Sequence, residues 1–125
     1  MRKLPNISET EWQVMKVLWA EASPVTSNHV IEKLQGVVAW NPKTTRTLLG
    51  RLVKKNAVGF NDEGNSYLYF PLLTEDECVR AETRSFLDRV CGGTFNVLFT
   101  NFLEEQELTE EEIEELKRIL DKKKK

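Results

Sequence analysis

The stretch NPKTTRTLLGRLVKK, residues 41–55, sets five Lys/Arg and three Thr in fifteen positions without a single Asp or Glu. Cationic side chains bind phosphates, and Arg can grip a guanine edge with two hydrogen bonds. Thr can give a hydroxyl to a base or pack its methyl against a thymine methyl. On a helix, at about 100° per residue, Lys43, Arg46, Thr47, Gly50, Arg51 and Lys54 share one side. Leu48, Leu49, Leu52 and Val53 share the other, as an apolar stripe to dock on a core. The chemistry on offer is entry into the major groove of DNA, with Arg46 near a base edge and Lys43, Arg51 and Lys54 on phosphates. Gly50, in the middle of the polar side, costs roughly 1 kcal/mol of helix propensity against Ala. One account is that bulk there would hold the helix off a duplex. The competing reading is a charged face that is merely solvated.

The remaining reactive side chains offer less. His29 is the sole histidine and falls in the first turn of a helix, where it could touch a phosphate but is expected to be solvated. A Cys–His nucleophile would have to recruit Cys78 or Cys91 across the chain with no third group to orient the pair. One His and two distant Cys are too few ligands for a metal site, so none is expected. The acidic run Glu110–Glu115 suits the positive end of a helix and solvent better than acid–base catalysis. There is no glycine-rich phosphate loop. No cofactor and no enzymatic activity are expected.

The elements that must position the basic stretch can be read locally. ISETEW opens a first helix with Ser8 as cap, Glu11 at the capping-box position, and Ile7 and Trp12 at the spacing of a hydrophobic staple. Trp12, Met15, Leu18 and Trp19 fall on its inner face, and Ala22-Ser23-Pro24 ends it. A short extended piece near Val25 precedes a second helix capped by Thr26, carrying Val30, Ile31 and Leu34, and stopped near Gly36. Asn41 caps the third, with Pro42 at its first position and Asn56 suited to the left-handed residue that closes it near Lys55. VGFNDEGNSYLYFPL then reads as a β-hairpin, with Tyr67 and Tyr69 on one face and Leu68 and Phe70 on the other. Helix, short strand, helix, helix, hairpin is the order of a winged helix-turn-helix.

After Pro71, Thr74 with Glu77 opens a helix running to about Val90 and closed by Gly92-Gly93. TFNVLFTNFLEE follows as an apolar helix. Thr109 with Glu112 opens a last one, carrying Ile113, Leu116, Ile119 and Leu120. The expected fold is mainly α with a small β-hairpin: a winged-helix DNA-binding domain over 1–71 and a three-helix dimerisation region over 72–125. Three helices in so short a segment cannot build much core alone. They pack either on the first domain or, the reading favoured here, on a second copy of themselves.

Charge supports a division of labour. Residues 1–70 hold nine Lys/Arg against six Asp/Glu, and residues 71–125 hold nine against fourteen. The chain of 125 residues has no apolar run long enough to span a bilayer and opens without a signal-peptide pattern. Reduced thiols in a cytoplasm are therefore expected.

The run WNPKTTRTLLGRLVKK, Trp40–Lys55, closely resembles the recognition-helix region of the BlaI/MecI/CopY family of bacterial repressors. ISETEWQVMKVLW resembles that family's first helix, and VCGGTFNVLFTNFLEEQELTEEEIEELKRIL its dimerisation region. The likeness covers essentially the whole chain and is greatest to the BlaI/MecI branch. It implies a homodimeric winged-helix repressor on palindromic operators of β-lactamase or penicillin-resistance genes. Carried over residue by residue, it makes Lys43, Thr44, Arg46, Thr47 and Arg51 the main DNA-facing positions, with Lys54 beside them. For the dimer interface it points to Phe86, Val90, Phe95, Leu98, Phe102, Leu103, Ile113, Leu116 and Leu120. In that branch a membrane sensor metalloprotease system relieves repression by proteolysis at an Asn-Phe bond, and the matching pair here is Asn101-Phe102.

Three departures stand out. The Cys-x-Cys ligands of the copper-responsive branch are missing, so copper sensing is not expected. Thr45 replaces a larger aliphatic, and its hydroxyl needs a partner such as a backbone carbonyl one turn earlier. The wing tip Asp62-Glu63 is acidic, which ill suits a wing brushing phosphates. Two other readings stay open: a winged-helix module docking an acidic protein surface without sequence-specific DNA binding, and a thiol enzyme built on Cys78 or Cys91.

Overall fold

A computed structural model of the chain describes residues 4–91 and 96–124. Caps start the helices where local chemistry asks for them. Ser8 Oγ accepts the Glu11 N–H at 3.2 Å while Glu11 Oε1 accepts the Ser8 N–H at 2.9 Å, closing a reciprocal capping box at the head of α1 (Glu9–Ala20). Thr26 Oγ1 accepts the His29 N–H at 3.1 Å to open α2 (Ser27–Leu34). Asn41 Oδ1 accepts the Thr44 N–H at 3.1 Å to open α3 (Pro42–Lys54), with Pro42 in the first turn.

The end of α3 is sharply made. Asn56 takes φ 62°, its N–H bonds the Val53 carbonyl at 3.0 Å, and the Ala57 N–H reaches back to Leu52 at 2.9 Å. This is the two-bond left-handed closure that a glycine usually provides, here made by Asn56. It turns the chain directly into the hairpin, β1 (Val58–Asp62) and β2 (Tyr67–Pro71), which are antiparallel with Phe60 opposite Tyr69 and Gly59 opposite Phe70. A side chain at Gly59 would meet the Phe70 ring at 2.7 Å and could enter only by pushing that ring aside. Val25 pairs with Tyr69 through two backbone hydrogen bonds, 3.0 and 2.7 Å, so the segment before α2 lies along β2.

Val14, Met15 and Leu18 of α1, Val30 and Leu34 of α2, and Leu48, Leu49 and Leu52 of α3 form the core with Ala57, Val58, Leu73 and Cys78. Each fully buried Leu, Val or Met contributes about 1.5–3 kcal/mol, which is what fixes the angle at which α3 presents its opposite face. Trp12 and Trp19 meet edge to face at 5.5 Å on the rim of this core, and Trp19 Nε1 donates to the Leu73 carbonyl at 2.9 Å.

The chain divides into two compact units, Met1–Glu82 and Thr83–Lys125, with the division inside α4 (Glu75–Cys91). The first turn of α4 belongs with the first unit because Leu73 and Cys78 are buried in its core. Thr74 and Glu77 form the expected reciprocal cap, each bond 3.1 Å. The second unit holds α5 (Asn96–Glu105) and α6 (Glu110–Lys123), and Thr109 and Glu112 make the capping box of α6 at 3.0 and 3.1 Å. Among the described residues of this unit none is buried. The glycine stop at Gly92-Gly93, Phe95 and the Cys91 side chain lie outside what the structure describes.

Candidate nucleic-acid interface

The core-facing stripe of α3 is the expected one: Leu48, Leu49 and Leu52 are buried and Val53 packs partly against them. Rotating from that stripe leaves Lys43, Arg46, Thr47, Gly50, Arg51 and Lys54 exposed, with Thr44 half-buried. Four cations and no acid thus line one uncovered helix face. A Cβ added at Gly50 would meet nothing within 4 Å, so nothing inside the chain requires a glycine there.

Hydrogen bonds define what this face can read. Thr44 Oγ1 donates to Asn41 Oδ1 at 3.3 Å and Thr47 Oγ1 donates to the Lys43 carbonyl at 3.1 Å. Each hydroxyl has one proton, so both donors are spent on the helix itself. What remains outward is acceptor oxygen and methyl, which suit a base amino group or a thymine methyl and not a phosphate oxygen.

The fifth cation of the stretch is withdrawn from this face. Lys55 Nζ donates to Glu11 Oε1 at 2.5 Å and to the Asn6 carbonyl at 2.7 Å. Burial pushes the Glu11 carboxyl up, but the Lys55 and Ser8 hydrogen bonds and the Lys55 charge outweigh it and hold the group below its ordinary value. Lys55 is a tie between α1 and the end of α3, and nothing in the local pattern around either residue announces the pair.

Thr45 is buried, and the partner of its oxygen differs from the backbone carbonyl expected one turn earlier: Trp40 Nε1 donates to Thr45 Oγ1 at 2.9 Å. Trp40 precedes the cap and Thr45 is the fourth helical residue, the same staple spacing that Ile7 and Trp12 occupy around α1. That spacing was the available signal. Here the staple is made by a hydrogen bond in place of an apolar contact.

His29 is held by the Glu21 carboxylate, which ties the first turn of α2 to the end of α1. Arg46 Nη2 donates to Asn28 Oδ1 at 3.3 Å, joining α3 to α2. On the wing, Phe60, Tyr67 and Tyr69 cluster on one face with ring centres 4.8 to 6.4 Å apart. The acidic tip is partly structural, since Asp62 Oδ1 accepts the Gly64 N–H at 2.9 Å to shape the turn. Among the described residues, no cluster of His, Cys, Asp or Glu could hold a metal ion, and no helix is long and apolar enough to cross a membrane.

In the second unit the expected interface positions are uncovered. Phe86, Val90, Phe102, Leu103, Ile113 and Leu120 are exposed, Phe102 by 53%, while Leu98 and Leu116 are half-buried. Asn101-Phe102 lies inside α5, and the Phe102 carbonyl accepts the Gln106 N–H at 3.0 Å. Phe102 is not buried by its own chain.

Residues 7–122 match the family model described as penicillinase repressor. The chain is similar to the penicillinase repressor of Bacillus licheniformis, 42% identical over 124 residues that cover 99% of this chain and 96% of that protein. It is similar also to the methicillin resistance regulatory protein MecI of Staphylococcus aureus (strain N315), 37% identical over 121 residues covering 97% and 98%. Among solved structures, the monomeric form of Bacillus licheniformis BlaI in complex with the blaP half-operator matches with a TM-score of 0.53 at 42% identity. That match covers 62% of this chain and 93% of the other.

Proposed function

The chain belongs to the penicillinase repressor family, and from that premise we propose that it is a sequence-specific DNA-binding repressor of antibiotic-resistance genes of the β-lactamase type. That family is one of transcriptional repressors and not of enzymes. The observation that carries the proposal is the exposed, acid-free face of α3 on a winged helix. A relative of the same fold has been solved on a half-operator. Lys43, Arg51 and Lys54 take phosphates, Arg46 takes a base edge, and Thr44 and Thr47 supply acceptors and methyls to the groove.

The protein works as a homodimer through residues 72–125, in the cytoplasm, on a palindromic site. Support comes from the second unit, whose apolar side chains are largely exposed in the single chain. Two copies covering one another would remove that surface from water and pair two recognition helices with two half-sites. Derepression follows cleavage of Asn101-Phe102 under a membrane sensor metalloprotease system. The bond sits in a hydrogen-bonded helix, so cutting waits on local opening of α5. Its loss would strip the interface of everything beyond Asn101.

A binding titration of the purified protein on the DNA upstream of its own gene, at several salt concentrations, tests this. Two protomers per site, a steep salt slope and loss of binding when one half-site is scrambled are expected. Weak binding indifferent to scrambling would leave only a cationic helix adhering to phosphates, and the partner would then be sought among acidic protein surfaces.

A further inference from the structure

Arg46 is the groove-facing residue best equipped to discriminate a base, yet a long side chain on an exposed helix face has many rotamers. Freezing them on binding costs affinity and blurs the geometry that bidentate recognition needs. In this protein the guanidinium is not left to itself. Asn28, in the first turn of α2, accepts a hydrogen bond from Arg46 Nη2 at 3.3 Å across a sequence separation of 18. Arg has five N–H donors and no acceptor, so the amide must present its oxygen, and two neighbouring donors stay available for a base edge.

Asn28 is itself well placed to hold a fixed position. Its helix is capped by Thr26, and Val30 and Leu34 bury that helix in the core. The preceding Val25 is pinned to β2 by two backbone hydrogen bonds. The backbone that carries Asn28 is therefore held by the fold, and its exposed side chain reaches Arg46 from a fixed base.

We propose that Asn28 is a positioning residue for base recognition: it holds the Arg46 guanidinium in its reading orientation before DNA arrives, so base preference at that position depends on α2 as well as α3. This rests on the DNA-binding reading above. It assigns to the first helix of the motif a part in specificity beyond crossing the backbone.

The test has two arms. In the free protein, the NMR order parameter of the Arg46 Nε–H should fall in Asn28→Ala and be kept at least in part by Asn28→Asp, which retains an acceptor at that position. An order parameter unchanged by Asn28→Ala overturns the proposal without reference to DNA. In the second arm, wild type, Asn28→Ala, Arg46→Ala and the double variant each select from a randomised duplex library. Asn28→Ala should lose about five-fold or more of the preference at the same base pair that Arg46→Ala relaxes. The salt slope should be unchanged and the double variant no worse than Arg46→Ala. A uniform loss over all sequences, additive with Arg46→Ala, would make Asn28 a phosphate contact and sink the proposal. If wild type selects no sequence at all, the DNA reading itself fails, and the first arm still tells whether the latch exists.

Discussion

Glu11 and Lys55 are 44 residues apart in the chain and 2.5 Å apart in space, one at the head of the first helix and the other at the end of the third. The carboxylate is buried at 2% exposure and the ammonium at 33%, so the pair is shielded on one side only. Glu11 thus serves two ends at once, closing the capping box of α1 and anchoring the end of α3.

Despite its burial, the Glu11 carboxyl is held below its ordinary value by the Lys55 and Ser8 hydrogen bonds. Its contribution to stability is therefore complete above the ordinary carboxylate value and is lost as pH falls through the lowered one. Glu11→Gln should cost about 1–2 kcal/mol near neutrality, and that difference should shrink as the solution is acidified through the lowered value. Urea unfolding of both proteins at neutral pH and in the acid range measures it. A difference that does not change with pH would show that Gln disturbs packing and not charge.

Arg46 and Lys54 both lie on the exposed face of α3 but should fail differently. Arg46→Ala should cost about 1–3 kcal/mol and relax preference at one base position. Lys54→Ala should weaken every sequence alike and lower the salt slope by about one. Binding to a set of single-base operator variants separates the two patterns, and identical profiles would contradict the division of labour along the helix.

Thr45→Val keeps the shape of a buried residue but removes the acceptor for the Trp40 indole. The half-buried Trp40 indole N–H left unpaired should cost about 1 kcal/mol, the low end for an unmet buried donor, despite the gain in hydrophobicity. Trp40→Phe removes the donor and reports the other half of the pair. A double-mutant cycle over the two substitutions, read by thermal unfolding, gives the coupling. Additive losses would mean that the bond contributes nothing.

Phe102 is 53% exposed in the single chain. If a second copy covers it, Phe102→Ala should raise the dimer dissociation constant by about 3–5 kcal/mol of equivalent free energy, the scale of an emptied aromatic site. Analytical ultracentrifugation over a dilution series reads the change. A dimer indifferent to the substitution would remove Phe102 from the interface.

Much of this architecture could be read from short stretches because its determinants are short-range. The caps at Ser8, Thr26, Asn41, Thr74 and Thr109, and the left-handed Asn56, each depend on groups within a few residues. The split of α3 into a leucine side and a cationic side is likewise a matter of helical period. What stayed hidden depends on packing between distant segments. That α1 would take Lys55 out of the basic face, that Asn28 would reach Arg46, and that the Trp40 indole would satisfy Thr45 all follow from crossing angles set by the core. The second unit was legible only as helices with apolar stripes, since what lies against those stripes is not in the chain's own local chemistry.

The bareness of that second unit has a thermodynamic consequence. Helices without a buried residue of their own, among those described, gain little from folding alone. If a second copy supplies the missing interior, ordering and assembly become a single second-order event. Dilution then acts as a denaturant: the melting midpoint of α5 and α6 would fall as protein concentration falls, while that of the winged helix would stay put. Repression would follow the copy number of the protein more steeply than in direct proportion, so a modest drop in abundance would release the gene sharply.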